Sequence, residues 1–165
     1  MLILIFGPIS GAHFNPIVSG VSTWGGQIPS RRLVAYVLAQ LCGAFAGIVI
    51  AHAMFELPLL QVSTHVRPTV GEGLGEAVAT FGLVLVILMT LKHRAEAIPL
   101  AVAAFITSAY WFTSSTSFAN PAVTVARAMT NTFAGISPES VPPFLLGELI
   151  GGTSAVVFAR WILQR

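Results

Sequence analysis

The sequence predicts an all-α membrane protein, and three observations carry that expectation. Only 8% of its 165 residues are charged, against 55% hydrophobic, where soluble domains carry roughly 25% charged residues. There is no Asp and a single Lys, Lys92, so a water-facing surface cannot be covered. Several apolar runs also approach the roughly 20 residues that cross a bilayer core. The same composition excludes other classes. The basic residues are scattered, with no basic patch interleaved with aromatics, so no nucleic-acid partner is expected despite a net charge of +2. The lone Cys42 lies in an apolar run and leaves no internal disulfide framework. No GxSxG or HExxH pattern supplies a hydrolase nucleophile and base. No metal-ligand spacing occurs among the histidines, and neither an enzyme activity nor a cofactor is expected.

The elements follow in order. Residues 1–9 are apolar but too short to span, and no basic stretch precedes them as in a signal peptide. They read as the tail of a helix that begins earlier. Spans are expected over 31–55, 73–91, 97–112 and 143–163. Between the first two, residues 56–72 form a polar loop marked by Pro58, Pro68 and Gly71. Segments 10–26 and 113–134 are rich in Ser, Thr, Asn and Gly. They fit membrane depth only if enclosed by protein. Arg31, Arg32, Lys92, Arg94, Arg160 and Arg165 all fall on one side of four alternating spans. The positive-inside rule makes that side cytoplasmic, with the C-terminus inside and the 56–72 loop outside. His52, His65 and His93 sit at span ends or in loops and read as solvated. Gly43, Gly47, Gly147, Gly151 and Gly152 suit close helix packing.

An internal repeat organises these pieces. His13-Phe14-Asn15-Pro16-Ile17-Val18-Ser19 matches Phe118-Ala119-Asn120-Pro121-Ala122-Val123-Thr124 around a shared Asn-Pro. The spans that follow align as well: Leu38, Leu41, Gly43, Val49 and Ala51 fall on Leu146, Leu149, Gly151, Val157 and Ala159. Gln40 falls on Glu148, which is expected to bond within the bundle. The two copies start on opposite sides of the membrane, which makes an inverted-topology repeat. Asn is a favoured helix N-cap and Pro a favoured first helical residue. Each motif therefore starts a short re-entrant helix, with the two N-termini meeting near the midplane. Free N–H groups and positive dipole ends then face a shared cavity, offering donors to a neutral polar solute and repelling cations. The bland alternative is a pair of caps inside a packed bundle. The expected organisation is one transmembrane domain over 1–165, with 1–55 the remainder of a first repeat and 73–165 a second.

This arrangement resembles the aquaporin and glycerol-facilitator family, the major intrinsic proteins, over nearly the whole chain. Ser10-Gly11-Ala12-His13-Phe14-Asn15-Pro16 is similar to the family's SGxHxNPA signature, with Ile17 in place of Ala. Asn120-Pro121-Ala122 is the second copy. Glu76-Ala77-Val78-Ala79-Thr80-Phe81 resembles the ExxxTF pattern that opens each half. The resemblance implies six spans and two half-helices, so the first span and most of the second are expected to lie before Met1. It implies a homotetramer with one pore per subunit for the complete protein. Part of that contact surface belongs to the absent helices, which makes a tetramer of this chain doubtful. It also implies a location in the cell membrane.

The resemblance further implies that the Glu76 carboxylate supports the loop near 113–120; a proton relay is the competing reading for an ionisable group inside a span. His13 either lines the inner pore or braces its loop. The family's selectivity filter maps onto Ser108, Ser117 and Val123, with a fourth position before Met1. Val123 stands where the family usually has Arg, and Ser108 where strict water channels have His. Both changes widen and discharge the constriction. Arg127, one turn beyond Val123, either hangs over the outer mouth or snorkels and bonds nearby carbonyls. The expected function is a passive channel for water, glycerol-like polyols and undissociated metalloid acids such as arsenous acid, since a bacterial subgroup with Val at this position is associated with arsenic resistance. The alternative is a non-conducting truncated fragment of such a channel.

Overall fold

A computed structural model describes residues 1–67 and 69–164. Pro68, read as a loop residue, and Arg165, read as a terminal inside charge, lie outside the described residues. Among the described residues, seven α-helices carry the fold: α1 Leu2–Ser10, α2 Pro16–Trp24, α3 Ser30–Met54, α4 Val70–His93, α5 Ile98–Phe112, α6 Pro121–Arg127 and α7 Val141–Leu163. Short 3-10 turns at Ala95–Ala97 and Pro138–Ser140 lead into α5 and α7. Four of the helical stretches are long and apolar enough to cross a bilayer. Their surfaces keep Val34, Leu38, Ile50, Leu100, Trp111, Leu149 and Val157 exposed. Such a surface is soluble in lipid and not in water.

Local chemistry sets the boundaries. α1 closes on Gly11, which is left-handed at φ 76° and returns its N–H to Gly7 O; the missing Cβ permits that C-terminal turn. Thr69 opens α4 with a reciprocal capping box to Glu72. Asn15 and Asn120 cap α2 and α6, each followed by Pro at the first helical position. The second half-helix is shorter than the apolar run through 130 suggests. Past Arg127 the chain tightens into i→i−3 turns, Ala128 N to Val125 O and Met129 N to Ala126 O, and Thr130 Oγ1 lies against His52.

α4 and α7 run side by side in the same direction and form the tightest pair. A Cβ on Gly147 would press on Gly73 O and Glu76 Cβ, and one on Gly151 would press on Ala77 O. Gly152 leaves room for the Ile17 side chain from α2, which is why a bulky residue fits after the first Asn-Pro. Gly43 and Gly47 on α3 have nothing within 4 Å of a built Cβ, so the close-packing role expected of them is not seen. The half-helices lie between α3 and α7. Gln40 on α3 donates to Ser19 on α2 at 2.9 Å. Thr124 on α6 donates to Glu148 on α7 at 2.6 Å. These are equivalent positions of the repeat.

The 56–67 stretch folds back over the end of α6. Ser63 N donates to Ala128 O and Ser137 N to His65 O. This covers His52, which is buried and not solvated as its place at a span end suggested. Its Nδ1 donates to Leu59 O at 3.0 Å, and its Nε2 lies 2.9 Å from Thr130 Oγ1. His65 and His93 are exposed.

Candidate functional site

The two half-helices meet end to end. Asn15 Oδ1 accepts from Ile17 N at 2.8 Å, and Asn120 Oδ1 accepts from Ala122 N at 3.1 Å. Each oxygen is thereby fixed by its own helix. Each amide nitrogen then crosses to the other loop: Asn15 Nδ2 donates to Ala119 O at 2.6 Å and Asn120 Nδ2 to Phe14 O at 2.8 Å. An Asn amide carries two donors. One on each residue is used in this cross-lock, and the other has no protein partner among the described residues.

The loops leading into the caps share an unusual backbone. Ala12 and Phe14 have φ of 45° and 49°; Ser117 and Ala119, at the same offsets from the second Asn, have 52° and 48°. Left-handed conformations in non-glycine residues cost about 1–2 kcal/mol each, so something must hold them. In the second loop the holders are two carboxylates. Glu76 accepts from Phe118 N at 2.8 Å and Ala119 N at 2.6 Å. Glu148 accepts from Asn120 N at 3.0 Å. Three consecutive N–H groups are therefore taken by two fully buried acids. In the first loop Tyr36 donates to Ser10 O at 2.9 Å and stacks on His13 at 5.5 Å between centroids. His13 Nδ1 lies 3.2 Å from Ser19 Oγ.

A cavity of about 590 Å³ runs along this junction. Its polar side is built from residues 11–15 and 117–120, including His13 and both Asn residues. Its opposite wall is apolar, with Leu83, Ile87 and Leu91 from α4 and Ile98, Val102 and Ile106 from α5. Those residues recur at helical spacing, so each helix turns one apolar stripe to the cavity. Ser117 and Val123 line it, as does Arg127. Ser108 does not: it is exposed on α5 and donates to Ala104 O at 2.9 Å. The structure thus brings Ser117 and Val123 together and leaves Ser108 outside the lining.

Some site residues carry no signal in the sequence taken alone. Tyr36 acts through a backbone carbonyl, which any residue has. Glu148 had a usable signal in its alignment with Gln40. Arg67 had none, because its guanidinium bonds carbonyls at Gly135, Ser115 and Phe133, far along the chain.

Comparison with known proteins gives a consistent family. The sequence profile described as "Major intrinsic protein" matches residues 1–116. Aquaglyceroporin AqpS of Rhizobium meliloti is 51% identical over 164 residues, covering 99% of this chain and 70% of that protein. Probable aquaporin AqpM of Archaeoglobus fulgidus is 32% identical over 179 residues, covering 99% and 72%. Aquaporin-1 of Sus scrofa is 30% identical over 166 residues, covering 95% and 60%.

Proposed function

Because the chain belongs to the major intrinsic protein family, whose members are channels and not enzymes, we propose that it forms a passive pore for small neutral solutes. The solutes we assign are water, glycerol-like polyols and undissociated metalloid acids such as arsenous acid. One observation carries the reading: two half-helix N-termini meet at a cavity with a polar stripe on one side and an apolar wall on the other. The spare N–H of each Asn is a donor for a solute oxygen. The positive ends of both half-helices oppose a cation at the same point. Glu76 acts in this scheme as support for the loop, through the N–H groups of Phe118 and Ala119. Val123 presents an apolar wall where a bulky cation would narrow the path, and Ser117 adds only a small hydroxyl. A neutral triol with three hydroxyls meets the same donors as glycerol, which extends the range to metalloid acids.

A second reading, a non-conducting fragment of such a channel, is favoured by α3, which buries only His52 along its 25 residues. Stopped-flow uptake in liposomes separates the two. The chain and a version extended at its N-terminus are compared with water, glycerol and arsenous acid. Conduction by the chain itself sustains the channel reading. Conduction only by the extended form selects the fragment reading, and silence in both, with folded protein, ends the proposal. The assembly we expect for a conducting form is a homotetramer in the cell membrane, checked by cross-linking in native vesicles.

A further inference from the structure

Two guanidinium groups stand over the Phe118 ring. Arg67 Cζ stands 5.1 Å from its ring centroid and Arg127 Cζ 4.2 Å. The two arginines are bonded very differently. Arg67 Nε donates to Gly135 O at 3.0 Å, Nη2 to Phe133 O at 3.3 Å and Nη1 to Ser115 O at 3.4 Å. Its backbone N–H reaches Ser140 Oγ at 2.9 Å. Arg67 is thus occupied in tying the outer loop down. The Arg127 guanidinium has its ring contact and, among the described residues, no hydrogen-bond or ion-pair partner. It is half-buried and lines the cavity. A guanidinium carries five N–H donors and no acceptor, so an unbonded one at a cavity wall has unmet donor capacity.

The placement follows from the half-helix. Arg127 is four residues after Val123, so both side chains fall on one helix face. Moving outward from Asn120, the cavity meets an apolar Val123 and then a cation. The ring of Phe118 attracts that cation and fixes where it stands, so its planar donor fork is pre-organised. The nearby acids are committed elsewhere: Glu76 to Phe118 and Ala119, Glu148 to Asn120 and Thr124. The snorkelling or carbonyl-bonded arrangement expected from sequence belongs to Arg67 and not to Arg127.

We infer that Arg127 is a specificity-determining residue, a fixed donor station at the outer mouth that takes acceptor oxygens of hydroxylated or oxyacid solutes before they reach Val123. A planar fork pairs best with two adjacent oxygens on one solute. A vicinal diol or an oxyacid therefore gains more from it than urea, which offers one. This inference rests on the channel reading for its role in transport, and on the geometry of the arginine alone for binding.

The test uses the full chain with Arg127→Leu and Arg127→Lys. In detergent, melting is followed against inorganic phosphate as the oxyacid probe. In liposomes, glycerol, urea and water uptake are compared. Phosphate should stabilise the wild type, and Arg127→Leu should weaken that response about tenfold, the scale of one charge-assisted hydrogen bond. Glycerol uptake should fall relative to both water and urea in Arg127→Leu and recover in part in Arg127→Lys. A wild type that ignores phosphate overturns the inference. So does a folded Arg127→Leu with the wild-type phosphate response and an unchanged glycerol-to-water ratio, and so does an equal loss of all three solutes in both variants. A wild type that binds phosphate through Arg127 yet conducts nothing removes the channel reading and leaves the station as a binding site.

Discussion

A carboxylate at bilayer depth is tolerated only where donors take up its charge. Glu76 has two, the N–H groups of Phe118 and Ala119, and the second belongs to a left-handed residue at φ 48°. Glu76→Gln keeps the shape, but its amide nitrogen turns a donor toward one of those N–H groups. Hydrogen bonds to a charged acceptor contribute about 1.5–3 kcal/mol each. The variant should therefore give a lower yield of folded protein, read by size-exclusion recovery, with little change in any pH dependence of uptake. Uptake driven by a proton gradient that vanishes in Glu76→Gln would instead mark a relay. Val123 concerns the path and not the fold. Val123→Arg places a bulky cation with fixed donors on the cavity wall. Glycerol and arsenous acid uptake should drop sharply and water flow less; equal loss would indicate misfolding, and unchanged uptake would put the constriction nearer Arg127. At this scale the sequence is readable where a residue type has one mechanical use. Asn before Pro at a helix start is such a case, and both residues do cap helices. It is unreadable where a side chain works through distant partners. His52 meets Thr130 across 78 residues, and Arg67 reaches Gly135 across 68. Neither span leaves a local pattern.

Helix existence was legible throughout, because apolar length alone marks a span. The expected 31–55 is Ser30–Met54, and 143–163 is Val141–Leu163. The start of α4 lies three residues earlier than expected, at Val70, because the Thr69 and Glu72 capping box extends it. Packing between elements was less legible. Gly43 on α3 and Gly151 on α7 align in the repeat, yet only Gly151 touches another helix closely. A Cβ on Gly151 would come within 2.9 Å of the Ala77 carbonyl carbon, and backbone cannot turn aside as a flexible side chain does. Overpacking of this kind costs about 1–3 kcal/mol. Gly151→Ala should therefore lower the melting temperature in detergent. Gly43→Ala meets open space and should leave it unchanged or raise it slightly, since Ala is the better helix former. Equal effects from both would mean that α4 and α7 do not approach as closely as described.

At the scale of the whole molecule, charge predicts the orientation. The chain enters α3 at Arg31 and Arg32, leaves α4 at Lys92, and ends α7 near Arg160. Helix alternation puts all of these at one end. Arg67 and the outer end of α6 lie at the other. Each Lys or Arg near a span end resists translocation, so the positive-inside rule predicts a cytoplasmic position for the richer end. The half-helices inherit opposite directions from this: α2 runs from the midplane toward the basic end, and α6 from the midplane toward Arg67. Only an inverted repeat brings both N-termini together while each copy keeps its own order of loop, half-helix and span. The orientation is tested with single cysteines in a Cys42→Ser background. Leu60→Cys and Glu96→Cys place thiols at exposed sites on either side of α4 without touching a basic residue. A membrane-impermeant maleimide should label Leu60→Cys in intact cells and Glu96→Cys only in inverted vesicles. The opposite result would reverse the orientation and leave the fold intact. Labelling of both from one side would mean that α4 does not cross, and the meeting of the two half-helices at mid-membrane would fall with it.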